Sequence, residues 1–301
     1  MKNDRQCPVC GVPSTEATLF MAENINNKKL SEFSFSSRKT PEFMSHRLVA
    51  CSQCDLVYAP QPPEGGELAA AYHQANYDSS LEADDAAQAY TQAIEPILLM
   101  LSQRDSVLEI GTGTGVFLQR MEQAGFSALV GVEPSTAAIT AARPEQRAWI
   151  RQGVFEESAF AADTFDLICC FMTMEHVSDP TTVAHSAFKL LRPGGAFVTV
   201  THDRRSIVNR LLGKRSPIID VEHMQLFSDA SLITLFKRTG YEHIEVKAFS
   251  NRYALHYWLR LTPLPTFLKN LILKVLARMR CDSYKLSLNV GNTMGVGFKP
   301  L

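Results

Sequence analysis

The chain has 301 residues, 46% of them hydrophobic, with 30 Lys and Arg against 31 Asp and Glu. This length suffices for about two domains, and the formal net charge of −1 argues against nucleic acid as a partner. No apolar run reaches the roughly 18 residues of a membrane span, and the polar start lacks the apolar core of a signal peptide. We therefore expect a cytoplasmic protein with reduced thiols.

The first 66 residues are irregular in pattern and contain two Cys-x-x-Cys pairs, Cys7 with Cys10 and Cys51 with Cys54. Two such pairs in one short segment favour a zinc-binding module with four thiolate ligands. The alternative, a redox-active pair, explains one pair but not two. A four-cysteine site has no open coordination position, so the zinc would be structural. Seven basic and six acidic residues in positions 1–60 do not form a nucleic-acid surface.

The Pro- and Gly-rich segment 60–67 predicts a boundary after this module. Helical spacing of Ala, Ile and Leu over 84–102 predicts a helix within a lid or linker at 67–104. From residue 105 short apolar strands alternate with helices. This pattern predicts an α/β fold with a doubly wound, mostly parallel sheet covered on both faces. A mostly helical insertion at 250–285 precedes a last strand in this third region, 105–301.

A glycine-rich loop, VLEIGTGTGVF, follows the first strand of that region. Gly111, Gly113 and Gly115 are spaced G-x-G-x-G, whereas a dinucleotide-binding loop reads G-x-G-x-x-G and would need glycine in place of Val116. Glycines at such a turn let the backbone approach a nucleotide-like ligand. A dehydrogenase with a variant loop is the alternative.

Three further features narrow the choice of ligand. Glu133 ends the second strand, where a carboxylate can accept both hydroxyls of a ribose. Glu175 and His176 follow the fourth strand, and a Pro-Gly-Gly turn at 193–195 precedes the fifth. In this order the features closely resemble the class I S-adenosylmethionine-dependent methyltransferases, over about 105–249. The resemblance implies a Rossmann-like methyltransferase domain whose seven-stranded sheet has an antiparallel last hairpin.

The same resemblance implies which residues surround the cofactor, S-adenosylmethionine. Glu109 would bind near its amino end, Glu133 the ribose, and the glycine loop the methionine and ribose parts. Phe155 would cover the adenine, while Val154 stands where the family frequently has an acidic residue. Met172 would line the pocket, or else belong to the core. The full predicted set is Tyr77 from the lid, Glu109, Gly111, Gly113, Gly115, Glu133, Pro134, Val154, Phe155 and Met172.

Two histidines lie where open α/β sheets bind ligands, and a general base helps methyl transfer to a hydroxyl. His176 follows the fourth strand and His223 lies in a later loop, so either is predicted as the catalytic base, with a structural role as the alternative. Glu175, His176 and His223 also match three positions of the metal site of the small-RNA 2′-O-methyltransferases. Met172 replaces a carboxylate of that site, which argues against magnesium.

These features predict an enzyme that methylates a small molecule. The expected reaction is O-methylation of a sugar, a lipid-linked compound or a secondary metabolite. An RNA or protein methyltransferase and a non-catalytic S-adenosylmethionine-binding scaffold are the alternatives. Arg204 and Arg205, with three further bases up to Arg215, follow the fifth strand. They would hold an anionic group of the acceptor, or else form a solvated loop.

The insertion has a charge pattern of its own. Between Val246 and Cys281 the sequence has seven basic residues and no acidic one, and Tyr257 and Trp258 precede an apolar stripe at helical spacing from Leu264 to Met279. Such a basic amphipathic helix, within 250–280, can bring a protein to the inner membrane surface as a peripheral contact. We favour the alternative that the stripe packs over the substrate pocket, because apolar stripes are usually core.

Overall fold

The structure is a computed structural model of the chain. Tyr77, which the sequence predicts to face the cofactor, lies outside the described residues. The structure describes residues 4–26, 28, 30, 34–35, 42–63, 65–74, 80–262, 264–279, 281 and 283–301.

Strands and helices alternate in the order that the sequence pattern predicts from residue 105 onward. The strands are β1 (Thr18–Met21), β2 (Leu48–Ala50), β3 (Val57–Tyr58), β4 (Ser106–Ile110), β5 (Ala128–Glu133), β6 (Ile150–Gln152), β7 (Phe165–Phe171), β8 (Leu191–His202), β9 (Gln225–Leu226), β10 (Glu242–Ala254) and β11 (Lys285–Phe298). The helices are α1 (Gly65–Gln74), α2 (Ser80–Met100), α3 (Val116–Gln123), α4 (Thr136–Ala141), α5 (Pro144–Arg147), α6 (Pro180–Leu190), α7 (Ile207–Leu212), α8 (Asp229–Thr239), α9 (Leu255–Leu261) and α10 (Thr266–Arg278).

The central sheet has seven strands in the order β10-β11-β8-β7-β4-β5-β6. The five strands from β8 to β6 run parallel, whereas β11 lies antiparallel between β8 and β10. This topology confirms the doubly wound α/β fold and the antiparallel last hairpin that the family resemblance implies. Every residue of β7 is buried, as expected for a central strand covered on both faces.

Two apolar cores flank this sheet. On one face Tyr90 of α2 stacks on Phe171 and on Phe249, with ring centroids 4.2 Å and 5.4 Å apart. On the other face Phe236 of α8 lies 5.7 Å from the ring of Phe197. Each large side chain buried in this way contributes roughly 1.5–3 kcal/mol relative to exposure. The loops at the strand ends are therefore supported by a central sheet that is well packed on both faces.

A smaller sheet has the strand order β1-β2-β3-β9. Its fourth strand comes from the third predicted region, because Tyr58 pairs with Gln225 and Val57 with Leu226. Cys7 also shares a core with residues of β7. The N-terminal segment is thus built onto the central sheet, while the domain limits 1–66, 67–104 and 105–301 remain predictions.

The insertion departs from the predicted pattern at its ends. β10 continues to Ala254 and β11 begins at Lys285, and these two residues pair, so the last hairpin extends into 250–285. α9 and α10 lie between its two strands. Tyr257 and Trp258, which precede the apolar stripe, are both buried beside Tyr253 and do not face solvent. Within the described part of the chain, no helix is long and apolar enough to cross a membrane.

Candidate active site

A cavity of about 1280 Å³ opens at the carboxyl ends of β4, β5, β7 and β8, the edge where parallel sheets bind ligands. Pockets for one small ligand measure roughly 300–1,000 Å³. The cavity therefore has room for a cofactor and an acceptor side by side. The β4–α3 loop, the end of β5 and residues 153–155 line one part, and α7, α9 and α10 contribute to another.

The glycine loop borders the first part of the cavity. Gly111 and Gly113 have φ angles of +77° and +57°, in the left-handed region that favours glycine. A Cβ atom at Gly111 would lie 2.3 Å from Oγ1 of Thr173, whereas one at Gly113 would meet no described atom within 4 Å. The main chain at Gly113 therefore faces open space, as a ligand that approaches the backbone requires. Gly115 caps α3 and faces Gln146 instead of the cavity.

Two buried carboxyl groups face the same part of the cavity. Glu133 accepts hydrogen bonds from the amides of Gly113 (2.7 Å) and Ser135 (2.8 Å), and burial raises its pKa. Burial raises the pKa of Glu109 to about 8, and the hydroxyl of Thr112 donates to it. Buried carboxyl groups gain most from ligands that bring hydroxyl donors or positive charge. An amino acid joined to a ribose offers both, so these residues fit S-adenosylmethionine.

The neighbouring wall holds most of the remaining predicted cofactor residues. Val154 is 49% exposed and lines the cavity with the half-buried Phe155 and with Pro134. Met172 also lines the cavity, directly after β7, and its φ of +50° is strained for a residue other than glycine. Such strain clusters at functional sites. Met172 therefore lines the cavity and also packs against the core beneath it.

The structure brings the two predicted catalytic histidines together. The rings of His176 and His223 lie 4.8 Å apart between centroids, and both line the cavity. Nδ1 of His176 lies 2.8 Å from the hydroxyl of Tyr72 and 3.8 Å from the carboxylate of Glu222. Nδ1 of His223 lies 2.8 Å from the carbonyl of Ile218, which can only accept, so this nitrogen carries the proton. The Nε2 atom of His223 is therefore the basic one.

Several cavity residues were not predicted from the sequence, among them Tyr72, His202 and Glu222 near the two histidines. His202 ends β8, so the rule that ligands bind at strand ends could have identified it. Its Nδ1 lies 2.9 Å from Oδ1 of Asn292, and burial, together with the nearby His223, lowers its pKa to about 3. His202 is therefore neutral near pH 7 and a weak base.

Glu175 is not among the residues that line the cavity, although its neighbour His176 is. It is completely buried, and its carboxyl accepts a hydrogen bond of 2.6 Å from the backbone amide of His202. Burial raises its pKa to about 7. Glu175 thus links the loop after β7 to the end of β8, and Glu222 is the carboxylate beside the histidines.

Gln225 ties the loop that carries His176 to the small sheet. The side chain of Gln225 is buried and donates hydrogen bonds to the carbonyls of Met174 (2.6 Å) and Val177 (2.7 Å). Its backbone pairs with Tyr58 of β3. The position of His176 therefore depends on the N-terminal segment.

Ion pairs join the same segment to the loop after β8. Asp55 pairs with Arg204 and Arg205, and Nε of Arg204 also donates to the backbone carbonyl of Asp55 at 2.8 Å. Arg5 donates to the backbone carbonyl of Ser178. The two arginines that were expected to hold an acceptor anion are thus engaged within the protein.

The four cysteines of the N-terminal segment converge in space. The Sγ atoms of Cys7 and Cys54 are 3.5 Å apart, those of Cys10 and Cys51 are 3.4 Å apart, and all four lie within 4.8 Å of one another. A tetrahedral zinc with Zn–S bonds near 2.3 Å separates its sulfurs by about 3.8 Å. The cluster therefore has the dimensions of a tetrahedral metal site.

Residues 82–246, more than half of the chain, match a family model described as a methyltransferase domain. The chain belongs to this methyltransferase family. The matched range of the methyltransferase contains the glycine loop, Glu109, Glu133, His176 and His223.

The methyltransferase is similar to two ubiquinone biosynthesis O-methyltransferases, from Alkalilimnicola ehrlichii (31% identity over 115 residues) and Salmonella typhimurium (29% over 114 residues). Each match covers 36% of this chain and 46% or 47% of the relative, so the chain spans about half the length of these relatives. Among solved structures, an S-adenosylmethionine-dependent methyltransferase from Thermotoga maritima has a TM-score of 0.49 and 21% identity, covering 73% of this chain and 91% of that one. One from Archaeoglobus fulgidus has a TM-score of 0.48 and 11% identity, covering 71% and 94%.

Proposed function

We propose that the protein transfers a methyl group from S-adenosylmethionine to an oxygen of a small-molecule acceptor. The observation that carries this proposal is the pair His176 and His223, which faces the same cavity as the glycine loop and the two buried carboxyl groups. The matched relatives are named as O-methyltransferases of ubiquinone biosynthesis, which supports a small-molecule acceptor.

In this proposal the predicted residues that line the cavity bind the cofactor. Glu133 accepts the ribose hydroxyls, Glu109 faces the amino group, and the backbone at Gly113 approaches the ribose and methionine parts. Val154 and Phe155 border the adenine, with Pro134 and Met172 closing the wall. When bound, the cofactor supplies an electrophilic methyl group on a sulfonium. The chain then has to align the acceptor, exclude water and take up a proton.

His176 is the proposed general base. In the tautomer with the proton on Nδ1, this nitrogen donates to the hydroxyl of Tyr72 at 2.8 Å or to the backbone carbonyl of Glu222 at 3.3 Å, and Nε2 is left to take the acceptor proton. The carboxylate of Glu222, 3.8 Å away, would stabilise the imidazolium that forms. His223, whose Nε2 is also unprotonated, is the alternative base for the same proton.

The acceptor end of the cavity is apolar. It is lined by residues of α9, α10 and β11, among them Leu259, Ile272, Leu276, Leu286 and Leu288. We therefore propose an acceptor with a large apolar part, such as a lipid-linked compound. The anionic group that the sequence suggested finds less support, because Arg204 and Arg205 are paired with Asp55.

The four-cysteine cluster is the proposed site of one structural zinc. Its sulfur separations fit tetrahedral thiolate ligation, and the four thiols leave no position for substrate. The zinc would stabilise the segment that holds the loop of His176 through Gln225.

The proposal is tested by incubating the protein with labelled S-adenosylmethionine and fractionated cell metabolites. We expect label in an apolar small-molecule fraction, and His176→Gln should lower kcat by about 10²–10⁴ because the base is removed. Cofactor affinity, measured by calorimetry, should not change. His185→Gln, an exposed histidine on α6, is the matched control. Label confined to RNA or protein, or full turnover by His176→Gln, would contradict the proposal.

A further inference from the structure

Helix α10 has two apolar faces. Ile272 and Leu276 line the cavity, so the expected packing over the pocket holds for this face. A second row lies at every fourth position: Phe267 is 74% exposed, Leu271 57%, Val275 49% and Met279, just past the helix end, 65%. No residue of this fully described helix is buried. The packing of the chain therefore leaves a stripe of four large apolar side chains in contact with solvent.

A second helix at the same cavity repeats this pattern. On α7, Ile207 is 76% exposed and Leu211 is 83% exposed. Val208 and Leu211 also line the same cavity as Ile272 and Leu276. Both helices thus present apolar side chains to solvent at the rim of the acceptor end of the cavity. Exposed apolar surface of this extent at a cavity rim marks a binding surface.

The Lys, Arg, Asp and Glu residues of the two segments that contain these side chains are all basic. The sequence has no acidic residue from Val246 to Cys281, nor between Asp203 and Asp220, the two segments that contain α10 and α7. Lys274 and Arg278 on α10 are exposed, as are Arg210 on α7 and Lys214 and Arg215 just after it. These two segments therefore combine exposed apolar side chains with basic ones. This combination is complementary to an anionic lipid bilayer, which is apolar inside and negatively charged at its surface.

We propose that α7 and α10 together dock on an anionic bilayer surface. The stripe from Phe267 to Met279, with Ile207 and Leu211, would enter the headgroup boundary, and the bases would meet lipid phosphates. The acceptor end of the cavity would then open toward the bilayer, so that a lipid-linked acceptor enters without crossing water. This last step rests on the proposed function, whereas docking itself does not.

Sedimentation with lipid vesicles tests the proposal on the full chain. We expect the protein to pellet with vesicles that contain phosphatidylglycerol and to stay in solution with phosphatidylcholine alone. Phe267→Ser with Leu271→Ser should reduce the bound fraction at least about tenfold, because each side chain loses its apolar burial in the bilayer. Leu99→Ser with Met100→Ser is the matched control: these residues of α2 are 75% and 59% exposed, and we expect no effect.

Charge reversal tests the electrostatic part. Lys274→Glu with Arg278→Glu should reduce binding at least about tenfold, while Lys237→Glu with Arg238→Glu, exposed bases on α8, should not. Failure of the wild-type protein to pellet with anionic vesicles at low salt would overturn the proposal. So would equal losses in the control variants, or a dimer in sedimentation equilibrium that Phe267→Ser dissociates. Vesicle binding without S-adenosylmethionine binding would leave docking intact and refute the proposed function.

Discussion

Replacing Gly111 by alanine measures how far the fold itself imposes the shape of the glycine loop. Its φ of +77° costs an ordinary residue roughly 1–2 kcal/mol. The new Cβ would also lie 2.3 Å from Oγ1 of Thr173, and overpacking typically costs about 1–3 kcal/mol. Gly111→Ala should therefore lower the free energy of unfolding by about 2–5 kcal/mol.

Gly113→Ala is the matched comparison. Its φ of +57° imposes the same backbone cost, but its Cβ would meet no described atom within 4 Å. We expect a loss of only about 1–2 kcal/mol in urea unfolding. Calorimetry should nevertheless show no binding of S-adenosylmethionine, because the added atom fills space that the ligand needs.

Thr173→Ala separates the clash from the backbone strain. Alone it removes a hydrogen bond of 3.0 Å from Oγ1 to the carbonyl of Phe171, which costs about 0.5–1.5 kcal/mol. Combined with Gly111→Ala it relieves the clash, so the double-mutant cycle should give a coupling of about 1–3 kcal/mol. A coupling near zero, or equal losses for Gly111→Ala and Gly113→Ala, would refute this reasoning.

Four more predictions concern the carboxyl groups and the cysteines. Because burial raises the pKa of Glu109 to about 8, cofactor affinity measured by calorimetry should rise with pH and level off near pH 8, and Glu109→Gln should flatten the profile. The same shift means that the contribution of Glu109 to the stability of the ligand-free protein is largest below its ordinary pKa of 4.5 and is lost as the pH rises through about 8, a loss that Glu109→Gln removes in thermal unfolding. Glu133→Ala should weaken cofactor binding by about 1–3 kcal/mol, since it leaves ribose hydroxyls and the amide of Gly113 without an acceptor; unchanged affinity would exclude its ribose role. Metal analysis should find the zinc in the wild-type protein and not in Cys51→Ser. Cys51→Ser should also lower kcat more than it lowers cofactor affinity, because Gln225 loses the support of the zinc-bound segment. A metal-free wild-type protein would contradict the zinc proposal.

Local patterns were enough to predict the central fold. The glycine loop, Glu133 and the Pro-Gly-Gly turn stand at fixed points of one strand–helix alternation, so they gave the fold class correctly. Met172 shows where such patterns become ambiguous, because a methionine at a strand end suits a core as well as a cavity. In the structure Met172 does both, because it lines the cavity and packs against the core.

Contacts between distant loops could not be predicted in the same way. Tyr72 and Glu222 meet His176 from two other segments, and no periodicity links them. β9 is only two residues long, too short for an alternating pattern, so its pairing with β3 has no sequence signal. The apolar stripe on α10 was predicted from the sequence. Which of its residues face the cavity and which face solvent depends on tertiary packing, which the sequence pattern does not contain.

The pairing of β3 with β9 also has a consequence for the order in which the chain can fold. Arg5 and Gln225 are 220 residues apart in the sequence, and Asp55 and Arg204 are 149 apart. A ribosome adds about 5–20 residues per second, so the four thiols leave it roughly 10–35 s before the strand that completes their sheet. Contacts of such separation close late and slow folding. The N-terminal segment is therefore synthesised first but completes its packing among the last. Until then its apolar surface and its thiols are accessible to chaperones, oxidants and competing metals.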